Sequence, residues 1–460
     1  MYMKKILVVF IVCLLVLSTF LASCESENDT SSTVSDTSSE TSHSNKNESS
    51  KNESKNESKD ESKTENKPTV NLVNPAPAKP GNPPVGNNLS VIGCSFSEKP
   101  YFVLIGKCAL NAEVTGEANG MKVTSKSYMG LFSVRLRCDE KSVKVKLSQK
   151  VDGATVGQAL EYTATPITPS ADMWPVVAGG DLQFFFQKML PDFKGENIPN
   201  EASLTNLTQR VIRRTEQLKE LKPNAEIIYL LVPSAMTVYP ELVPEQYKQT
   251  EGKSKLDLIS EALTAGGATV IDLKTAFKEH KNDEMPLYFK LDSHWTDYGA
   301  FVAYTELFNH ISQTFPEAVP RNIDDFNWRN DYYKSGDMAY YLGLSRFGIK
   351  EYSYYRTFDI PIPKSITLVN RYTSEQSLTY SDDVTYERTI YTSDLSLPSA
   401  IVMRDSYSTQ MYDILAERMN KTHYSGMWNY TWDNSRIKSV KPDYVIYIVA
   451  EWNLDSILNG

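Results

Sequence analysis

Apolar and polar positions change rhythm along the chain. Residues 6 to 17 are an unbroken apolar run, whereas 25 to about 67 hold almost no apolar side chain. From about Leu89 to Pro166, short segments are apolar-rich or alternate apolar with polar residues. Ser90-Val-Ile, Tyr101-Phe-Val-Leu-Ile, Met121-Lys-Val-Thr, Leu131-Phe-Ser-Val-Arg-Leu-Arg and Ser142-Val-Lys-Val-Lys-Leu read as strands, several of them separated by Gly or Asp turns. That spacing predicts a small β-sandwich over 89–167. After the Pro/Thr stretch Ala164-Thr-Pro-Ile-Thr-Pro-Ser170, the pattern becomes one of buried strands beside helices. Ala225 to Pro233, Ala268 to Leu273, Ser399 to Met403 and Asp443 to Val449 are β-branched apolar runs. Helical periodicity covers Leu204 to Leu221, Ser254 to Leu263 and Tyr298 to Phe315. Residues 171–460 are therefore predicted to form an α/β domain, a mostly parallel sheet with helices on both faces. In such sheets working residues gather at the carboxyl ends of the strands.

The first apolar run follows Lys4 and Lys5 and gives way to Leu21-Ala-Ser-Cys24. A charged start, a short apolar core and a small-residue exit form a secretory signal, and the core is shorter than the about 18 to 20 residues that span a bilayer. Leu-Ala-Ser-Cys resembles a bacterial lipobox. This predicts a signal peptide over 1–23, lipidation of Cys24 and an extracytoplasmic protein held at the cell membrane. The segment 24–88 is rich in Ser, Asn, Glu and Lys, with near-repeats such as Lys51-Asn-Glu-Ser, and ends in the proline-rich Asn74 to Pro84. Such a composition cannot offset its conformational entropy by burial and is read as a disordered tether. Some 60 flexible residues span roughly 45 Å.

A net charge of −9 and a pI near 5.3 argue against nucleic acid held by bulk electrostatics. Cys94, Cys108 and Cys138 all fall in the sandwich, so at most one pair can bridge there, and buried thiols are an equal alternative.

Two polar clusters carry candidate chemistry. Phe289-Lys-Leu-Asp292-Ser-His294-Trp-Thr-Asp-Tyr-Gly299 precedes a predicted helix, and Val402-Met-Arg-Asp-Ser406-Tyr-Ser follows a predicted strand. A serine hydroxyl attacks an ester only when an imidazole takes its proton and a carboxylate orients that imidazole. Asp292, His294 and Ser406 supply this set, and of the histidines in the folded part only His294 has a carboxylate two residues away. On extended backbone the two would point the same way. An imidazole near its ordinary range predicts activity rising through about pH 6 to 7. The competing reading is that Asp292 and Ser406 merely cap the helices that follow them.

Asp-Ser-His-Trp-Thr with Gly299 and the later Asp-Ser-Tyr-Ser resemble the SGNH-hydrolase-like domain of the AlgX and AlgJ alginate O-acetylation proteins and their DHHW relatives. Val177-Ala-Gly-Gly-Asp-Leu-Gln-Phe-Phe, Leu231-Val-Pro-Ser-Ala-Met-Thr-Val-Tyr-Pro, Gly336-Asp-Met and Ile448-Val-Ala-Glu-Trp resemble further blocks of that family in the same order. The resemblance implies an SGNH-hydrolase-like (flavodoxin-like) fold with the Asp/His pair before the serine. It also implies a polysaccharide acceptor, a membrane-bound O-acyltransferase as acetyl source, no cofactor and no metal, and a Gram-positive cell surface. Arg404 stands where the family usually has Gly, Ala235 where it has Lys, and Trp452 where an Arg often follows Glu. Tyr407, Asn429 and Arg404 are candidates for oxyanion or substrate contact, as is the backbone N–H of Ser406, although an Arg there would more commonly face solvent. The preceding sandwich resembles bacterial immunoglobulin-like modules in pattern alone. O-acetyl transfer, O-acetyl hydrolysis and glycan binding without turnover remain the alternatives.

Overall fold

The computed structural model describes residues 88–170, 175–333, 336–358, 367–370, 387–392 and 394–460. The predicted signal peptide, Cys24 and nearly all of the tether lie outside these residues.

The first described strands are β1 (Ser90–Glu98), β2 (Tyr101–Lys107), β3 (Glu113–Ala118), β4 (Met121–Lys126), β5 (Leu131–Arg137), β6 (Val143–Val151), β7 (Ala154–Thr155) and β8 (Leu160–Ala164). They form two antiparallel sheets, β1-β2-β5 and β4-β3-β6-β7, with β8 also on β6. Phe102, Leu104, Val134 and Leu136 fill the space between the sheets together with Val114 and Leu147. Val103, Ile105 and Leu131 point the other way and pack on Val177, Phe185 and Leu344 of the following domain. The sheet β1-β2-β5 is thus covered on both faces. That explains why β2 is a continuous apolar run while β6, with one open face, alternates. Cys94, Cys108 and Cys138 are all buried free thiols.

The second part begins with the short pair β9 (Val176–Ala178) and β10 (Phe184–Phe186). It continues through β11 (Glu226–Val232), β12 (Thr269–Ile271), the hairpin β13 (Phe326–Tyr333) and β14 (Glu351–Phe358), then β15 (Thr367–Asn370), β16 (Arg388–Tyr391), β17 (Ser399–Arg404), β18 (Lys421–Tyr424) and β19 (Tyr444–Ala450). A seven-stranded sheet runs β12-β11-β19-β17-β18-β16-β15. Its first five strands are parallel, and β16 and β15 extend it antiparallel. Helices α1 (Glu201–Leu221) and α2 (Lys255–Ala265) lie over one face, against Ile227, Tyr229, Val445 and Tyr447. Helices α3 (Leu273–His280) and α4 (Asp297–Ile311) lie over the other, against Ile228, Leu230, Ile446 and Ile448. The fold is the SGNH-hydrolase-like α/β class, preceded by a β-rich region. The N-terminal ends of α1 and α2 follow local chemistry: Asn200 caps α1 by accepting from Ser203 N, and Ser254 with Asp257 forms a capping box on α2.

Candidate active site

Strand β17 lies between β19 and β18 in the sheet, and the chain leaves it through Asp405 into a short 3-10 turn, Ser406–Met411. Asp405 is fully buried. Its Oδ1 accepts from Tyr407 N (3.1 Å), and its Oδ2 accepts from Ala450 N (2.7 Å) at the end of β19 and from the Tyr430 hydroxyl (3.0 Å). Asp405 is therefore the cap of this turn, which leaves the Ser406 hydroxyl free for other work.

The imidazole reaches it from an irregular loop. The bridge Tyr288–Trp295 and the bonds Phe289 N to His294 O (3.2 Å) and Thr296 N to Leu287 O (2.9 Å) close that loop. Thr296 caps α4, accepting from Tyr298 N and Gly299 N, so Asp292 is no cap either. A Cβ on Gly299 would lie 2.3 Å from Leu287 O, which is why the motif ends in glycine. The Asp292 carboxylate accepts from its own i+2 backbone, His294 N (2.9 Å), and from His294 Nδ1 (2.7 Å). The pair is joined by a bend rather than by extended backbone. On its other side, His294 Nε2 stands 2.8 Å from Ser406 Oγ. The structure thus brings Asp292, His294 and Ser406 into one hydrogen-bonded line.

The two sequence clusters also hold each other. Trp295 Nε1 donates to Tyr407 O (2.8 Å), the Tyr407 hydroxyl donates to Ser293 O, and the His294 and Tyr407 rings lie 4.9 Å apart. Tyr407 is buried, with its N–H and its hydroxyl both committed. It is a strut. Arg404 is fully buried too, where a solvent-facing side chain was expected. It lies on the same face of β17 as Ala400 and Val402, donates from Nε to Ser425 O (3.0 Å), and rests over the Tyr412 and Tyr424 rings. Asn429 is exposed on the following loop, its Oδ1 accepting from Thr431 N (3.1 Å).

Other residues hold the line in place and were not assigned roles from sequence. Asp337 Oδ1 accepts from Ser293 N (2.8 Å) and Oδ2 from Ser293 Oγ (2.5 Å), while Asp337 N donates to Asp292 Oδ2 (3.1 Å). A Cβ on neighbouring Gly336 would sit 2.5 Å from the Asp292 Cβ, so the Gly-Asp block pairs a glycine that permits approach with an acid that uses it. Buried Glu351, on β14, accepts from Lys290 N (2.6 Å) and Leu291 N (2.9 Å). Burial, only partly offset by those two bonds, pushes its carboxyl up to about 8. Glu451 holds Ser234 N (2.6 Å) and the Thr237 hydroxyl, tying the terminal block to the Pro233-Ser-Ala segment. Ser293, Asp337 and Glu451 had a signal in the recurring blocks. Glu351 had none, because it lies in a polar hairpin far along the chain.

Charge in the site is coupled. Burial disfavours a charged His294 ring, but the Asp292 charge and hydrogen bond, with Asp337 and Asp405 behind it, outweigh this and raise the imidazole to about 9. Burial likewise opposes the Asp292 charge. Its contacts with His294 and the Asp337 N–H more than compensate, keeping it below the usual carboxylate range. Burial and the nearby Asp292 charge push Asp337 up to about 6. Among the described residues, Asp292, His294 and Asp337 are the one group whose ligand-type atoms lie within 4.8 Å of one another. Each of these side chains already serves the hydrogen bonds above. Asp337→Asn removes a negative neighbour of His294 and should lower the imidazole pKa. The acid limb of the activity profile should then move to lower pH, by on the order of one unit. A pH–rate profile of the variant checks this, and an unmoved limb would place the Asp337 charge outside the titration.

A small cleft adjoins Asp292 and Ser293, walled by Phe184, Phe186, Ala235, Met236, Met338 and Trp452. Ser234, Asp292 and Ser293 supply polar groups to its lining.

Fold and site together define an SGNH-hydrolase-like domain. Residues 176–361 match the family model described as SGNH hydrolase-like domain, acetyltransferase AlgX. The matched segment contains Asp292, His294, Asp337 and Glu351 and ends before Ser406. Solved structures similar to the chain include Bacillus cereus PatB1 with a sulfonyl adduct, at 19% identity over 61% of this chain and 98% of that one, TM-score 0.46. A DHHW family protein from Eubacterium siraeum is 13% identical over 68% and 95%, TM-score 0.42. The O-acetyltransferase domain of Pseudomonas putida AlgJ is 16% identical over 61% and 91%, TM-score 0.39. No curated protein matches the chain.

Proposed function

We propose that this protein is an extracytoplasmic lipoprotein that transfers acetyl groups to a polysaccharide through an acetyl-Ser406 intermediate. The observation that carries this reading is the hydrogen-bonded line Asp292–His294–Ser406. In the first half, His294 Nε2 takes the Ser406 proton as Oγ attacks the acetyl carbonyl of the donor. The resulting imidazolium then protonates the departing donor oxygen as the carbonyl re-forms. In the second half, His294 removes a proton from a sugar hydroxyl, whose oxygen attacks the acetyl-serine carbonyl. The proton returns to Ser406 Oγ as the acetate ester of the sugar leaves. Asp292 fixes the ring so that Nε2 faces the serine. The Ser406 N–H opens the turn, where no intrahelical carbonyl reaches it, and is a donor for the tetrahedral oxyanion. The match of residues 176–361 to the acetyltransferase AlgX model supports the acceptor class, and the proposed source of acetyl is a membrane-bound O-acyltransferase. The resulting test supplies an aryl acetate as donor and a saccharide as acceptor, and reads acetylated sugar by mass spectrometry. Phenol release without any sugar acetylation, across pyranose acceptors, would assign the site to ester hydrolysis instead.

The anchor has its own test. Lipidation requires the Cys24 thiol, so Cys24→Ala should abolish labelling by a fatty-acid analogue and leave the protein released or uncleaved. Labelling that survives the substitution refutes the anchor without touching the chemistry.

A further inference from the structure

Trp428 is the most exposed tryptophan among the described residues, 50% accessible, and its backbone is left-handed, φ 60°. A lone exposed aromatic needs no explanation, but a bulky residue in this conformation is a true outlier, and glycine or asparagine would adopt it with less strain. The loop holds it there. Trp428 N donates to Arg404 O (2.8 Å), Ser425 N to Val402 O (2.9 Å), Asn429 N to Gly426 O (3.1 Å), and Ser425 Oγ to Asn429 O (3.1 Å). Buried Arg404 completes the brace through Ser425 O (3.0 Å). The loop is thus bonded to the last residue of β17. Two residues of extended chain cover about 7 Å, and the 2.8 Å bond to Arg404 O adds to it, so the Trp428 backbone N–H is anchored within about 10 Å of Ser406. Inside the same loop Tyr430 points inward to Asp405, while Trp428, Asn429 and Thr431 face solvent.

We infer that Trp428 is the stacking platform for a pyranose ring of the acceptor polysaccharide. The inference rests on the acetyl-transfer reading of the same site and adds to it where the glycan lies. A pyranose has a flat C–H face rimmed by hydroxyls. A rigid indole supplies apolar area for that face at small entropic cost, and the Asn429 amide and Thr431 hydroxyl flank it with groups able to meet the rim. Backbone strain and apolar exposure coincide at one residue of the loop bonded to the strand that carries Ser406, a pairing that strained backbone at functional sites leads one to expect.

The test uses the full-length protein with cellohexaose and chitohexaose as probes. In the Ser406→Ala background, which cannot turn over, each oligosaccharide is titrated by calorimetry with Trp428 intact and with Trp428→Ala. Saturable binding to at least one probe, weakened tenfold or more by Trp428→Ala and partly restored by Trp428→Tyr, is the expected result. With Ser406 intact, Trp428→Ala should raise the KM for the saccharide about tenfold while kcat changes little. Trp428→Gly should raise the Tm, because glycine accepts the left-handed backbone, yet bind sugar no better than the Ala variant. Absence of binding to both probes, or equal binding by Trp428→Ala, overturns the platform. Phenol release from aryl acetate by the wild-type protein reports separately on acetyl-Ser406, so failure of the glycan platform and failure of the transferase reading are distinguishable.

Discussion

Ser406→Ala and His294→Ala are each expected to lower aryl acetate turnover by roughly three orders of magnitude or more, and the double variant to be no worse than either. The reason is geometric. The base that Ser406 Oγ meets among the described residues is His294 Nε2 at 2.8 Å, so removing either partner disables the same proton transfer. Asp292→Asn should be severe but smaller. With the asparagine carbonyl in the place that accepts from Asp337 N, its NH2 takes the place of Oδ1, loses the His294 N bond and meets Nδ1 as a donor, which favours the wrong tautomer. The pH profile adds a second readout. Neutral His294 is the active form, and the Asp292 charge raises its pKa to about 9, so activity should climb as pH rises above the 6 to 7 range expected of an ordinary imidazole. Asp292→Asn removes that charge, and the acid limb of its residual activity should fall back toward the ordinary range. Stopped or steady-state phenol release across pH measures all of this. Full activity in Ser406→Ala would move the chemistry elsewhere and favour a glycan-binding protein without turnover.

Much of this site was legible because its parts carry distinctive local signals. The parallel strands β11, β17 and β19 are buried on both faces, so they stand out as β-branched runs, and the loop after β17 could be placed at a carboxyl end. The histidine loop is different. It follows no strand of the main sheet, and its bend is set by Asp292 bonding its own i+2 N–H, which an extended-strand argument does not foresee. The hairpin β13-β14 escaped notice because it mixes Asn, Arg, Asp and Tyr without clean alternation, and Glu351, which holds the Asp292 segment, went with it. The strands β16 and β18 are four residues each, Arg-Thr-Ile-Tyr and Lys-Thr-His-Tyr, too short and polar to register as periodic. Arg404 was misjudged for a related reason. An arginine suggests solvent, yet alternation along β17 already puts it on the face of Ala400 and Val402, where two tyrosine rings and the Ser425 carbonyl receive it.

Asp405 gives the largest expected effect on the folded state, because one buried carboxylate satisfies three donors drawn from three segments: Tyr407 N in the Ser406 turn, the Tyr430 hydroxyl in the Trp428 loop, and Ala450 N at the end of β19. Burial raises its pKa, while the Ala450 and Tyr407 N–H groups and the Tyr430 hydroxyl favour the charged form. Asp405→Ala strands the Tyr407 and Ala450 N–H groups away from water, at about 1 to 3 kcal/mol for each buried group left unpaired, while the Tyr430 hydroxyl keeps Ile448 O at 3.3 Å. The total should reach roughly 3 kcal/mol or more, lessened where a water fills the space of the lost carboxylate. Activity should fall further than stability alone requires, because the same carboxylate caps the turn that aims Ser406 Oγ at His294. Asp405→Asn separates the two effects. Its carbonyl can keep one or two of the bonds, so it should recover part of the stability, while its NH2 opposes a donor and leaves the turn misaligned. Urea unfolding of both variants, with aryl acetate kinetics measured well below the transition, makes the comparison. An Asp405→Ala protein as stable and as active as the wild type would mean that β17, β19 and the Trp428 loop are held together by other contacts, and that the carboxylate does not aim the serine.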